Sequence, residues 1–141
     1  MSEQVARALV AERAQHMCEI ALAGICGVRM ASVHHRLKRS HGGGWVASNL
    51  LASCGDGTTG CHGYIEAHPT WAREEGLWLF AGDGAPHEVS VHMRWMNLRG
   101  WYLLDDEGML TFDGGPTESL WQPAEREYLA REMVSPGIGW G

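Results

Sequence analysis

Residues 32–66 read SVHHRLKRSHGGGWVASNLLASCGDGTTGCHGYIE, and this stretch decides the fold. The run from Val28 to His34 is short, bounded by Gly27 and a histidine pair, and suits a strand. Three glycines at 42–44 demand a turn before Trp45–Ala47. Ser48 or Asn49 starts a short turn through Leu50 and Leu51. The small residues of CGDGTTGC (54–61) then form a loop that feeds a helix from about Cys61 to Glu66 or beyond.

Working outward, residues 3–22 contain neither Gly nor Pro and are rich in Ala, Glu and Arg, which predicts an N-terminal helix ending by Gly24, with Ser2 as its N-cap. Pro69 opens a second helical turn carrying Trp71 and Ala72. Beyond Gly76 the pattern changes to strand-like runs, LWLFA, EVSVHMRWM, GWYLLDD and MLTF, separated by the turn sequences GDGAP, NLRG and DEG. A small antiparallel sheet is the simplest account. The tail carries a short helix opened by Pro123 and closed before Ser135 and Pro136.

At 141 residues and 45% apolar content, the chain is large enough for one domain with an ordinary core. The expectation is an α+β domain over 1–112, with its core at about 26–75 and added strands at about 77–112, followed by an acidic tail over 113–141. No run approaches the roughly 18 apolar residues of a membrane span, and the first residues lack the order of a secretory signal, so the chain is read as soluble and cytoplasmic. A reducing compartment makes metal ligation the favoured use for Cys18, Cys26, Cys54 and Cys61.

The formal charge of −6 argues at first against a polyanionic partner. Its distribution reverses that. Residues 105–132 hold eight acids against Arg126 and Arg131, which accounts for the whole imbalance. Between Glu19 and Asp56 there is no acidic residue, while Arg29, Arg36, Lys38 and Arg39 lie there, the last three beside the histidine pair.

Imidazole ligates divalent metals or accepts a proton near neutral pH, so His34 and His35 can divide those tasks. His62 and Glu66 are four apart on the predicted helix and project from one face. A site of His34, His62 and Glu66 leaves positions open for water and phosphate. A carboxylate shifts such a site towards harder ions such as Mg²⁺ and Mn²⁺ while still admitting Zn²⁺.

VHHR, SNLL, CG followed by TTGCHG, and GWYLLDDEG resemble the HNH endonuclease family and its ββα-metal core, in particular the small HNH proteins of bacteriophages and prophages. The resemblance runs from about Cys26 to Gly108. It implies a DNA endonuclease using one catalytic divalent ion (Mg²⁺, Mn²⁺, Zn²⁺ or Ni²⁺), with His34 and His62 as ligands, Glu66 in the place of a second His, His35 as general base and Asn49 orienting the base and its loop. It further implies Arg36, Lys38, Arg39 and His41 as phosphate contacts, DNA and the phage terminase as partners, and a structural Zn²⁺ on the four cysteines. The family's CxxC is altered: the position three before Cys26 is Ala23, so the zinc site is either absent or rearranged, with Cys18 as a ligand where the chain between Cys18 and Cys26 loops out.

Other readings stand beside these. Asn49 suits a helix N-cap, Glu66 a solvated carboxylate, and Cys54 and Cys61 small buried side chains. Trp71, Trp78, Trp95 and Trp101 fall in the apolar periodicity and are read as core, with Trp45 left open. The alternative function is a non-catalytic DNA-binding or assembly module of the same fold.

Overall fold

In the computed structural model, residues 2–114 are described. The chain begins with α1 (Glu3–Ala14), capped by Ser2 Oγ, which accepts from Val5 N at 3.2 Å. This helix is shorter than its composition predicts. Gln15 and His16 take left-handed backbone, φ 54° and 60°, and turn the chain back on itself. Cys18 N then donates to Val28 O at 2.7 Å and Met30 N to His16 O at 3.0 Å, so tertiary bonds replace the helical ones.

The expected strand from Val28 is displaced for a related reason. Val28 sits at φ 76°, a conformation incompatible with strand geometry, and β1 spans Ser32–His35 instead. It pairs antiparallel with β2 (Leu50–Ser53), with His34 opposite Leu51 and His35 opposite Leu50. Leu50 and Leu51 therefore lie in a strand, not a turn; the turn is a single 3-10 stretch, Ala47–Asn49, just before it. After the glycine-rich loop come α2 (Gly60–Ala67) and α3 (Pro69–Glu74), close to the predicted positions.

Three strands follow, β3 (Val91–Trp95), β4 (Leu98–Leu104) and β5 (Leu110–Gly114), in one antiparallel sheet of order β3-β4-β5. Leu77–Ala81 is not a strand: its one β-bridge among the described residues joins Leu79 to Leu37, while Leu77 and Leu79 pack into the interior. The outcome is an α+β arrangement of three helices and two small antiparallel sheets among the described residues. The helix expected from Pro123 lies outside them.

Alternation along β2 divides the core. Leu50 and Ala52 pack with Ala6, Val10 and Ala14 of α1, whereas Leu51 joins Ile65, Ala72, Val91, Met93 and Tyr102 on the other side. The β1–β2 ribbon is thus buried on both faces. A buried ion pair ties α1 to it: Arg13 Nη2 and Glu19 Oε1 are 2.8 Å apart, Arg13 also reaches Leu50 O, and Glu19 Oε1 accepts from Ala52 N. Among the described residues, no helix is long and apolar enough to cross a membrane.

Candidate functional site

Adjacent positions on a strand point to opposite faces, so β1 sends His34 towards α2 and His35 towards Trp45 and α1. His34 is fully buried. Its Nε2 lies 2.6 Å from Leu77 O, and a carbonyl only accepts, so Nε2 carries the proton and Nδ1 the lone pair. That Nδ1 is buried without a hydrogen-bond partner among the described residues. It lies 4.0 Å from Glu66 Oε1.

His62 approaches the same carboxylate from α2. Ser32 Oγ donates to Gly55 O at 2.8 Å and therefore accepts from His62 Nδ1, also at 2.8 Å. The lone pair of His62 is left on Nε2, 3.6 Å from Glu66 Oε1. One ligating atom from each of His34, His62 and Glu66 lies within 4.8 Å of the others. Burial drives the pKa of His34 down to about 3, and burial, against the opposing pull of Glu66, lowers that of His62. Both rings are neutral at pH 7, the state in which imidazole binds metal. An orphaned, buried lone pair beside a second oriented imidazole and a carboxylate is a donor set suited to a divalent ion.

Two features here carry no simple sequence signal. Ser32 and the Leu77 carbonyl fix the histidine tautomers, the supporting role that orients metal ligands. Lys38 places its ammonium against Glu66 Oε1 and 4.6 Å from the centre of the Trp78 ring.

His35 is half-buried, with its Nε2 unpartnered among the described residues and its ring edge-to-face with Trp45 at 4.4 Å. Burial, then Arg39, Lys38 and Arg7, lower its pKa, so it too is neutral at pH 7. Asn49 is fully buried and holds the loop between β1 and β2: its Oδ1 accepts from Leu37 N at 2.8 Å, and its Nδ2 donates to Leu37 O and Gly44 O. It pins the loop that follows His35, and no hydrogen bond joins it to the His35 ring.

The basic residues separate. Arg39 and His41 are exposed, and Arg39 and Arg7 lie 5.6 and 4.9 Å from the Trp45 ring. Arg36 overturns its expected role as a phosphate contact. It is completely buried, and its guanidinium donates to the carbonyls of Gly76, Ser48, Pro86 and Val89 at 2.7–3.0 Å. No donor is left pointing to solvent. Trp95 also departs from the core reading, at 37% exposed.

The second cluster is sulfur. Cys18, Cys26, Cys54 and Cys61 bring their Sγ atoms within 4.8 Å of one another, with Cys26 and Cys54 at 3.9 Å, and none forms a disulfide. Tetrahedral zinc with Zn–S bonds of about 2.3 Å sets its sulfurs about 3.8 Å apart. Each sulfur also accepts a backbone N–H: from Ala21 (Cys18), Val28 (Cys26), Gly27 and Cys61 (Cys54), and Leu22 (Cys61), at 3.2–3.5 Å. Such donors favour thiolate. Hydrogen bonds from Cys18 and Cys61 hold the Cys26 thiol down to about 4, while its bonds with Cys18 and Cys26, and burial, push Cys61 up. The residues between Cys18 and Cys26 do loop out, through left-handed Ala21 and Gly24.

Among the described residues, fold and sites together define an α+β arrangement with two clusters that could hold a metal ion, one of four thiols and one of two imidazoles and a carboxylate. Comparison with known protein families, with curated proteins and with solved structures finds no match.

Proposed function

We propose that this protein is a divalent-metal-dependent endonuclease of HNH type, hydrolysing DNA phosphodiester bonds. The observation that carries the reading is the convergence of His34, His62 and Glu66 within 4.8 Å, on a strand–strand–helix frame whose first strand carries a second histidine at the next position. A divalent ion held there supplies Lewis acidity at the scissile phosphate.

The chain's own contribution is orientation and proton transfer. His34 and His62 present fixed lone pairs, and Glu66 adds the hard oxygen that favours Mg²⁺ or Mn²⁺. His35, kept neutral by burial and its basic neighbours, takes a proton from the attacking water. Arg39 and His41, both exposed, contact backbone phosphates, and Asn49 keeps their loop in register. The four cysteines hold a structural Zn²⁺ whose binding adds to folding free energy.

A second reading, a DNA-binding module without turnover, draws on two observations: the Lys38 ammonium already sits on Glu66, and His35 packs on Trp45. A plasmid-nicking assay with Mg²⁺, Mn²⁺, Zn²⁺ and Ni²⁺ separates the two. The expected result is nicking by the wild type with at least one ion and a loss of roughly 10²–10⁴-fold in His35→Ala. Salt-sensitive DNA binding with no nicking under any ion supports the module instead. Undiminished cleavage by His35→Ala removes His35 as the base.

A further inference from the structure

We infer that Lys38 is an internal cation that competes with the divalent ion for Glu66, so that this chain sets its own threshold for metal loading; the inference rests on the reading of His34, His62 and Glu66 as a metal site.

The geometry is specific. Glu66 Oε1 is the oxygen that both imidazoles face, His62 Nε2 at 3.6 Å and His34 Nδ1 at 4.0 Å, and it is the same oxygen that the Lys38 ammonium contacts. An ion ligated by all three residues and an ammonium on that oxygen are mutually exclusive in charge and in space. Lys38 is held there from a second side by the Trp78 ring, with Nζ 4.6 Å from its centre, an arrangement that stabilises a cation independently of Glu66. The side chains are partly shielded, 22% exposed for Lys38 and 28% for Glu66, so the pair is screened less than an open surface pair. Lys38 also lies in the short connection from β1 to the 3-10 turn Arg39–His41, close enough in sequence to the exposed Arg39 that an ammonium displaced from Glu66 remains on the phosphate-facing side. The displaced charge then adds to the phosphate contacts, so that metal loading favours DNA binding and, linkage being reciprocal, DNA binding favours metal loading to the same degree.

The direct test is the Mn²⁺ affinity of zinc-loaded, DNA-free protein, read from free Mn²⁺ by electron paramagnetic resonance. Mn²⁺ is chosen because it is an oxygen-seeking ion that does not displace zinc from thiolates. Wild type, Lys38→Met, Lys38→Gln and His62→Ala are compared, with thermal melts confirming that each is folded. Loss of the competitor tightens Mn²⁺ binding by about fivefold or more in both Lys38 variants, the scale of a partly exposed ion pair. Unchanged or weaker binding in both Lys38 variants, with His62→Ala impaired, overturns the competition while leaving the metal site standing. Equal binding by His62→Ala and wild type, or no binding by any of the four, overturns the metal site itself and the competition with it.

Discussion

Replacing Arg36 by Met separates a structural cation from a DNA contact, and the expected cost follows from the four carbonyls around it. Arg36 Nε donates to Gly76 O at 2.9 Å, Nη1 to Ser48 O at 3.0 Å and to Pro86 O at 2.9 Å, and Nη2 to Val89 O at 2.7 Å. Pro86 O keeps a second donor, Val89 N at 3.3 Å. Met therefore strips three buried or half-buried carbonyls of partners, each costing about 1–3 kcal/mol. Against this, the variant no longer desolvates a guanidinium, whose burial beside Arg13 draws its pKa down to about 9, and Met fills part of the space with apolar contacts. The net expectation is a loss of roughly 3–5 kcal/mol. For a domain of this size that corresponds to a fall in Tm of about 10–20 °C.

The assay is urea unfolding with a parallel thermal melt, alongside DNA affinity at a temperature where both proteins are folded. The signature is a lowered midpoint with DNA affinity within about twofold of wild type, because the guanidinium is completely buried and out of reach of a phosphate. A variant as stable as wild type but impaired in DNA binding would refute the assignment of Arg36 to the interior. Arg36→Lys is nearly as destabilised, since one ammonium cannot span four carbonyls spread over three separate segments.

Arg39→Ala, by contrast, leaves the melt unchanged and weakens DNA binding evenly across sequences, lowering the slope of log affinity against log salt by about 1; an unchanged slope removes Arg39 from the interface. Cys54→Ser abolishes stoichiometric zinc, measured with a metallochromic dye after denaturation, and lowers stability by several kcal/mol; full retention of zinc shows that the thiols are merely packed. Val28→Gly relieves a β-branched residue held at φ 76° and 51% exposed, raising stability by about 1 kcal/mol if zinc binding is retained. A destabilised Val28→Gly would show that the valine side chain contributes packing that outweighs the backbone strain.

What the sequence made legible was whatever depends on near neighbours. His62 and Glu66 share a helix face because they are four apart, and the three strands beyond Gly76 follow from the turn residues only in outline: β3 falls within its strand-like run, whereas β4 starts at Leu98 inside the expected NLRG turn and β5 extends past MLTF to Gly114. The failures are all non-local. Arg36 looked like a surface charge because its neighbours Lys38 and Arg39 are basic, yet its acceptors come from residues 48, 76, 86 and 89, which no local pattern brings together. The N-terminal helix loses its second half to the pull of Cys18 towards Val28, with no Gly or Pro to mark the stop. Leu77–Ala81 has strand composition but pairs through a single bridge, Leu79 with Leu37, in which Arg36 O accepts from Leu79 N at 2.8 Å.

The two ligand clusters are adjacent in the chain, and that adjacency explains the residues between them. Cys61 and His62 are consecutive at the start of α2, so a rotation of that helix that seats the sulfur also aims the imidazole. The loop before it leaves no slack: Gly55 and Gly60 adopt φ of 71° and 65°, and a Cβ on Gly63 would meet the Thr58 carbonyl carbon at 2.5 Å. Asp56 Oδ1 takes up the amides of Thr58 and Thr59, at 2.8 and 3.0 Å, which closes the turn. Cys61 N and Gly27 N both donate to Cys54 Sγ, so the sulfur at the end of β2 is the point from which the helix start and the Cys26 turn are both measured. A tightly coordinated ion on the four sulfurs would then fix β2 against α2, and with it the distance from His62 to Ser32 and His34 on the neighbouring strand. Under the proposed reading, the cysteine cluster would be the rigid half of a single arrangement and the His34–His62–Glu66 group, with Lys38 as the proposed competing cation, its working half.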